Sequence, residues 1–323
     1  MSPEQFLSSR RRESFRSRLL TWYDGNRRDL SWRQTSDPYR IWLSEIMLQQ
    51  TRVGAVLDHY RRFLERFPDV QSLARARQQS VLAAWSGLGY YRRARNLHAC
   101  AKVIAKERGG KFPQKAKELQ ELPGIGRYTA AAIASIAFGQ SSAVVDGNVE
   151  RVFQRLTGTP ELSACATWEL AEALLAPKRP GDFNQAMMEL GAMVCLPKEP
   201  KCSVCPVMHY CTARGAQSKS EKEVRNVREI AFGWSQRGDS IWLVQRSKTL
   251  GLMPGMWELP ECLPNGDPPC ATFKHSILDT DYNVRVFMGV ESSGNGRWVS
   301  KSRLATMALT GLARKILRHF DQF

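Results

Sequence analysis

Apolar positions recur at helical spacing through the first two thirds of the chain. "TRVGAVLDHYRRFLERF" (51–67) places them three and four apart, and Pro68 ends the run. "DPYRIWLSEIMLQQ" (37–50) opens with Asp37 as an N-cap and Pro38 at the first helical position. "SVLAAWSGLGYYRRARNLHACAKVIAK" (80–106) reads as two helices broken at Gly87-Leu88-Gly89, and "TWELAEALLAP" and "FNQAMMELGAM" continue the pattern. No convincing strand is expected before residue 229. The pattern then changes. "SIWLVQRS" (240–247) and "NVRVFMGV" (283–290) are short, β-branched and partly alternating, which predicts strands. "KTLGLMPGMWELPE" (248–261) is loop-rich, and "ALTGLARKILRHF" (308–320) predicts a closing helix. The expected organisation is a helical domain over 1–214, a polar linker over 215–229 and a small α+β domain over 230–323.

Charge sharpens this division. The net charge is +16, from 47 Lys+Arg against 31 Asp+Glu; residues 229–323 hold 11 and 9 of these, so +14 falls in the helical part. Such a surface suits a phosphate polyanion. No stretch approaches the ~18 uncharged apolar residues of a membrane span, and no apolar run follows Arg10-Arg11-Arg12 to make a secretory signal. The expected location is therefore the cytoplasm, where thiols stay reduced.

Four of the eight cysteines, Cys195, Cys202, Cys205 and Cys211, are spaced C-x6-C-x2-C-x5-C. Ligand spacing in a reduced compartment predicts a metal site. One Cys-x2-Cys pair flanked by two single cysteines favours an iron–sulfur cluster over a zinc ribbon. Lys198 and Lys201, in the loop between the first two ligands, are candidate phosphate contacts. Cys100, Cys165, Cys262 and Cys270 lack such spacing and read as structural.

The stretch "LPGIGRYT" (122–129) puts Gly124 and Gly126 at the mouth of an alanine-rich helix. Backbone N–H groups exposed there bind a phosphate without reading sequence, although a plain helix–helix turn has the same appearance. Asp146-Gly147-Asn148 follows, again at a helix start, where the dipole favours negative charge and where an aspartate also serves simply as a cap. Glu45 has Ile41, Trp42 and Leu48 at i−4, i−3 and i+3, so it lies on an apolar face where desolvation raises a carboxyl pKa.

Taken in order, "WLSEIMLQQT", "GLGYYRRARNLH", "LPGIGRYTAAAIAS", "VVDGNVERV", "FNQAMMELGAM" and the four-cysteine spacing resemble the helix-hairpin-helix, iron–sulfur superfamily of DNA glycosylases, and within it the adenine DNA glycosylases. The resemblance is dense over 15–215 and weaker over 230–323. It implies a mainly α helix-hairpin-helix fold with an iron–sulfur loop, plus an α+β C-terminal domain like a Nudix hydrolase. The C-terminal sequence lacks the acidic R-E-x-x-E-E helix that holds magnesium, so a binding module is expected there rather than a hydrolase.

The resemblance also implies roles. Glu45 would be the general acid at adenine N7, Asp146 the carboxylate that stabilises or attacks the sugar cation, and Asn148 the group that orients Asp146. Tyr128 occupies the slot where strand-cleaving relatives carry a Schiff-base lysine, so a monofunctional enzyme is implied, with the phenol bonded to Asp146. Trp32 and Arg33 would line the adenine pocket, while Gln50, Thr51, Leu88 and Tyr90 would contact the opened duplex. Gln185 stands where some relatives carry glutamate. The C-terminal Phe-Ser-His reader of 8-oxoguanine is replaced by Ile277-Leu278-Asp279, which leaves His275 and Ser276 as candidate substitutes and predicts weaker discrimination of 8-oxoguanine from guanine.

The implied protein is a nucleoid-associated bacterial monomer. It carries a [4Fe-4S] cluster and acts on double-stranded DNA with adenine opposite 8-oxoguanine or guanine. A thymine–guanine mismatch glycosylase and a catalytically silent iron–sulfur DNA-binding protein are the alternatives.

Overall fold

The computed structural model describes residues 8–214, 225–264, 266–289 and 296–322. In chain order these form α1 (Ser9–Asn26), α2 (Pro38–Leu48), α3 (Val53–Arg66), α4 (Val70–Arg75), α5 (Gln78–Trp85), α6 (Tyr91–Glu107), α7 (Ala116–Leu119), α8 (Arg127–Phe138), α9 (Gly147–Thr157), α10 (Ala164–Leu174) and α11 (Pro180–Met193). There follow β1 (Asn226–Trp234), β2 (Gln236–Arg237), β3 (Ser240–Gln245), β4 (Trp257–Glu258), β5 (Ala271–Ile277), β6 (Thr280–Met288), β7 (Gly296–Ser300), α12 (Lys301–Leu304) and α13 (Gly311–His319). None of the described helices is long and apolar enough to cross a membrane.

The chain divides into two compact units, Met1–Gln49 with Val103–Ser220, and Gln50–Lys102 with Glu221–Phe323. In the first, α1 and α11 pack through Phe15, Leu19, Phe183 and Leu190, and Phe153 of α9 joins the same core. Helix α8 lies against α2; its Ala130, Ala131, Ala132 and Ala134 are buried, and side chains this small let the two helices approach closely. Caps set the starts. Asp37 accepts from the Tyr39 N–H, Asp146 accepts from the Val149 N–H, and Pro38 and Pro180 occupy first-turn positions that have no N–H to lose. Gly191 of α11 lies so close to α9 that a Cβ there would come within 2.6 Å of the Asn148 Cβ.

In the second unit, α3 and α5 meet through Phe63 and Trp85, with ring centroids 6.0 Å apart. The C-terminal strands form two sheets. In one, β6 lies between β1, its parallel partner, and β5, its antiparallel one; in the other, β3 pairs with β2, β4 and β7. Their inward positions, among them Trp234, Ile241, Leu243 and Val286, close on Ile316 and Leu317 of α13.

The linker expected over 215–229 ends earlier than its composition suggests. Asn226–Glu229 already belong to β1, whose exposed start pairs with Thr280–Asn283 of β6. Residues 215–224 lie outside those described.

Candidate active site

Glu45 sits in α2 with 6 % of its surface exposed. Its Oε2 accepts a 2.8 Å hydrogen bond from the Tyr128 hydroxyl, which also points at the Met188 sulfur at 3.3 Å. The expected Tyr128–Asp146 bond is thus replaced by a Tyr128–Glu45 bond, because the α2–α8 packing brings the phenol to the glutamate. Burial is the main force raising the Glu45 pKa, to about 7; the Tyr128 bond and Arg33 oppose the rise and Asp146 adds to it. The Tyr128 phenol is itself held well above its ordinary value by burial and by the fields of Glu45 and Asp146.

Asp146 caps α9 and accepts a second bond, 3.0 Å, from Asn148 Nδ2. The expected Asn148–Asp146 pairing is present. Asn148 Oδ1 in turn accepts from Arg151. The segment leading to Asp146 is fixed by a residue that sequence reasoning missed. Buried Asn184 accepts from the Val144 N–H at 3.1 Å and donates to the Ser142 carbonyl at 2.8 Å.

Trp32 is buried, and Arg33 is held by a second missed residue, Glu189. That carboxylate is 0 % exposed and accepts from Arg28 at 2.7 Å and from Arg33 at 2.6 Å. Burial alone would raise its pKa, but the Arg28 and Arg33 hydrogen bonds outweigh burial and hold the group down at about 2. Gln185, the expected departure from relatives with a glutamate there, is buried one helical turn before Glu189 on α11, and the buried acid of that helix is Glu189. The signal was the one that marked Glu45, a lone acid inside an apolar helical run.

Gly124 has φ +76°, a conformation that favours glycine, and Gly126 is the N-cap of α8; both are exposed, as a backbone anion site requires. Gln50 and Tyr90 are exposed non-glycine residues with φ of +54° and +47°. Thr51 accepts from Arg93, a third missed residue. Leu88 is buried between the two loop glycines. His275 and Ser276 lie on β5 next to a tight hairpin whose turn is Leu278-Asp279. Leu278 is 60 % exposed at the tip, whereas the Ser276 hydroxyl is committed to Asp281 at 2.6 Å.

Cys195, Cys202, Cys205 and Cys211 all line one recess, with Val152, Leu190 and Val207 on its apolar walls. Burial pushes the Cys205 thiol up to about 11, and Cys195, Cys211 and Cys202 add to the shift, so the four sulfurs share one field. Arg155 braces the loop, donating to the Cys195 sulfur and to the carbonyls of Leu196 and Pro197. Among the described residues no group of three or more Cys, His, Asp or Glu is closed around a point that suits one metal ion. Four cysteines lining one recess are the donor set that an iron–sulfur cluster takes. Lys198 and Lys201 are exposed on this loop.

A glycine hairpin feeding α8 and an aspartate at the mouth of α9 are the two features that the sequence resemblance to the helix-hairpin-helix DNA glycosylases led one to expect. In agreement, residues 43–177 match the model of the HhH-GPD superfamily base excision DNA repair proteins. The chain is 50 % identical over 214 residues to the adenine DNA glycosylase of Mus musculus, covering 62 % of this chain and 42 % of that protein. It is 34 % identical over 272 residues to the adenine DNA glycosylase of Buchnera aphidicola subsp. Schizaphis graminum, covering 80 % of this chain and 77 % of that protein. A solved thermostable thymine-DNA glycosylase superposes with a TM-score of 0.59 at 35 % identity, covering 63 % of this chain and 96 % of that one. The chain belongs to the adenine DNA glycosylase family. It spans about two fifths of the length of its mammalian relatives.

Proposed function

We propose that this chain is a monofunctional DNA glycosylase that removes adenine mispaired with 8-oxoguanine or guanine. The observation that carries the reading is the pairing of two carboxyls in one unit with opposed environments, Glu45 buried and poised near neutrality and Asp146 at a helix mouth beside it in the same field. A departing adenine needs a proton, and the sugar left behind needs a negative charge; a buried acid and a carboxylate at a helix mouth are suited to supply them. Glu45 delivers its proton to adenine N7 as the glycosidic bond breaks and its electron pair moves to the base. Asp146 stabilises the sugar cation until water adds to it. Asn148 holds Asp146, and Glu189 holds Arg33 and, through it, the Trp32 turn of the adenine pocket.

The cysteine loop is proposed to carry a [4Fe-4S] cluster held by Cys195, Cys202, Cys205 and Cys211. When bound, the cluster supplies a rigid staple for the loop bearing Lys198 and Lys201. Cys202→Ser is expected to yield poorly folded protein or weak duplex binding, because one lost ligand frees the whole 195–211 segment. Mutant protein that lacks iron yet binds duplex with wild-type affinity would refute this.

The partner is double-stranded DNA, approached by a protein acting as a monomer. The C-terminal residues 230–323 are proposed to form a Nudix-like binding module that inspects the base opposite adenine. Without the usual reader triplet, discrimination between 8-oxoguanine and guanine is expected to be weaker than the family usually shows.

Duplexes carrying adenine, thymine or uracil opposite guanine or 8-oxoguanine test the reading. Release of adenine is expected; release of thymine instead supports the second reading, favoured by the likeness to the thymine-DNA glycosylase. The product strand is expected to break only after alkali or heat, because position 128 carries a phenol and no amine. Borohydride trapping of a major covalent complex contradicts monofunctional action.

A further inference from the structure

The loop from Ser86 to Tyr90 joins α5 to α6 and presents an aromatic ring in a costly conformation. Tyr90 is 41 % exposed with φ +47°, and the Arg93 guanidinium lies 5.2 Å over its ring. A bulky residue holds that backbone only where its surroundings over-determine it. Part of the constraint is local. Trp85 Nε1 donates to the Gly89 carbonyl at 3.1 Å, Arg93 donates to the Leu88 carbonyl at 3.2 Å, and His59 Nε2 lies 3.2 Å from the Ser86 carbonyl.

The rest comes from more than two hundred residues away in sequence. The Leu309 carbonyl accepts from the Ser86 hydroxyl at 2.9 Å and from the Tyr91 hydroxyl at 3.0 Å. Arg314 Nε donates to Ser86 Oγ at 3.1 Å. Ser86 and Tyr91 are both buried, and they sit at the two ends of the loop. The accepting carbonyl cannot drift, since the Trp257 N–H bonds to the Ala308 carbonyl, the Thr310 N–H bonds to the Trp257 carbonyl, and Thr310 caps α13. Leu309 itself is 0 % exposed in the C-terminal core.

We propose that Ser86, Tyr91 and Arg314 are positioning residues through which the C-terminal segment 308–314 sets the presentation of Tyr90 to a nucleobase. An exposed aromatic with a guanidinium beside it is a stacking platform for a base face. The C-terminal part thereby acts on the duplex through the helical loop, in addition to any contact of its own. This inference rests on the DNA-directed reading above.

The discriminating experiment is a double-mutant cycle in the full chain. Tyr91→Phe removes one hydroxyl with no change of ring. Ser86→Ala removes the other arm and serves if the first variant folds poorly. Each is made alone and in a Tyr90→Ala background. Two quantities are read on a duplex with a fluorescent guanine analogue opposite adenine: the unstacking signal on mixing, which needs no chemistry, and the single-turnover rate of adenine release.

Each single variant is expected to reduce both by about five-fold, the effect of one lost buried hydrogen bond. In the Tyr90→Ala background the same change is expected to alter them by less than about two-fold, since the effect travels through Tyr90. Equal losses with and without Tyr90 overturn the proposal, as do single variants that behave as wild type. Wild-type protein that unstacks the analogue but releases no adenine, with the predicted non-additivity in the unstacking signal across the cycle, supports the positioning role and overturns the adenine-releasing reading instead.

Discussion

Glu45→Gln loses about 10²- to 10⁴-fold in single-turnover adenine release while keeping its affinity for the duplex, because the amide has the size of the acid but no proton to deliver. The pH profile supplies the second half of the test. With the carboxyl raised to about 7, the protonated and active form dominates below that pH, and the wild-type rate falls about tenfold per unit above it. The variant profile lacks this limb. Stability falls with rising pH as well, over a lower window. The folded-state pKa lies above the unfolded value near 4.5, so the contribution is fully present below about 4.5 and is lost as pH rises through about 7. Above neutrality the buried carboxylate costs roughly 3 kcal/mol by this difference, and Glu45→Gln is expected to melt at higher temperature there than wild type. Near-normal release by the variant, or a wild-type rate still rising between pH 7 and 9, removes Glu45 from its role.

Asp146→Asn separates chemistry from capping. Asparagine is as good an N-cap as aspartate, so α9 keeps its start and thermal stability stays within about 1 kcal/mol of wild type. The negative charge facing the sugar cation is gone, and release is expected to fall about 10²- to 10³-fold. Asp146→Ala loses both, adding a cap loss of about 1 kcal/mol. An asparagine variant that releases adenine at the wild-type rate leaves Asp146 as a cap and nothing more.

The burial of Glu45 and the capping place of Asp146 were legible because each carries a local signal. Glu45 is a lone acid on an apolar helical face, and Asp146 precedes glycine at a helix start; the Asp37-Pro38 and Gly87-Leu88-Gly89 boundaries were legible for similar reasons. The partners were not. Tyr128 lies 83 residues from Glu45, and nothing near either tells which carboxylate the phenol meets; the register of α8 on α2 decides it. Glu189 reaches Arg28 and Arg33 across about 160 residues. The early part of β1 reads as polar linker because its exposed residues alternate with little apolar content, and its parallel partner β6 is distant in sequence. The grouping of α3–α5 with the C-terminal strands depends on contacts such as Ser86 with Leu309, which involve a backbone carbonyl and leave no mark in composition.

The close passage of Gly191 over Asn148 bears on how inherited changes in such a chain are judged. By ordinary scoring Gly191→Ala is among the mildest replacements possible, and helix propensity alone credits it with roughly 1 kcal/mol of added stability. Its methyl group would nonetheless occupy the space of the side chain that holds Asp146, at 2.6 Å from the Asn148 Cβ and 3.0 Å from its carbonyl oxygen. The methyl meets a Cβ and backbone rather than the end of a flexible side chain, so one helix must shift; overpacking costs about 1–3 kcal/mol, which offsets the propensity gain, and the group that holds Asp146 moves with it. Screens that sort variants by chemical similarity alone would pass it as benign.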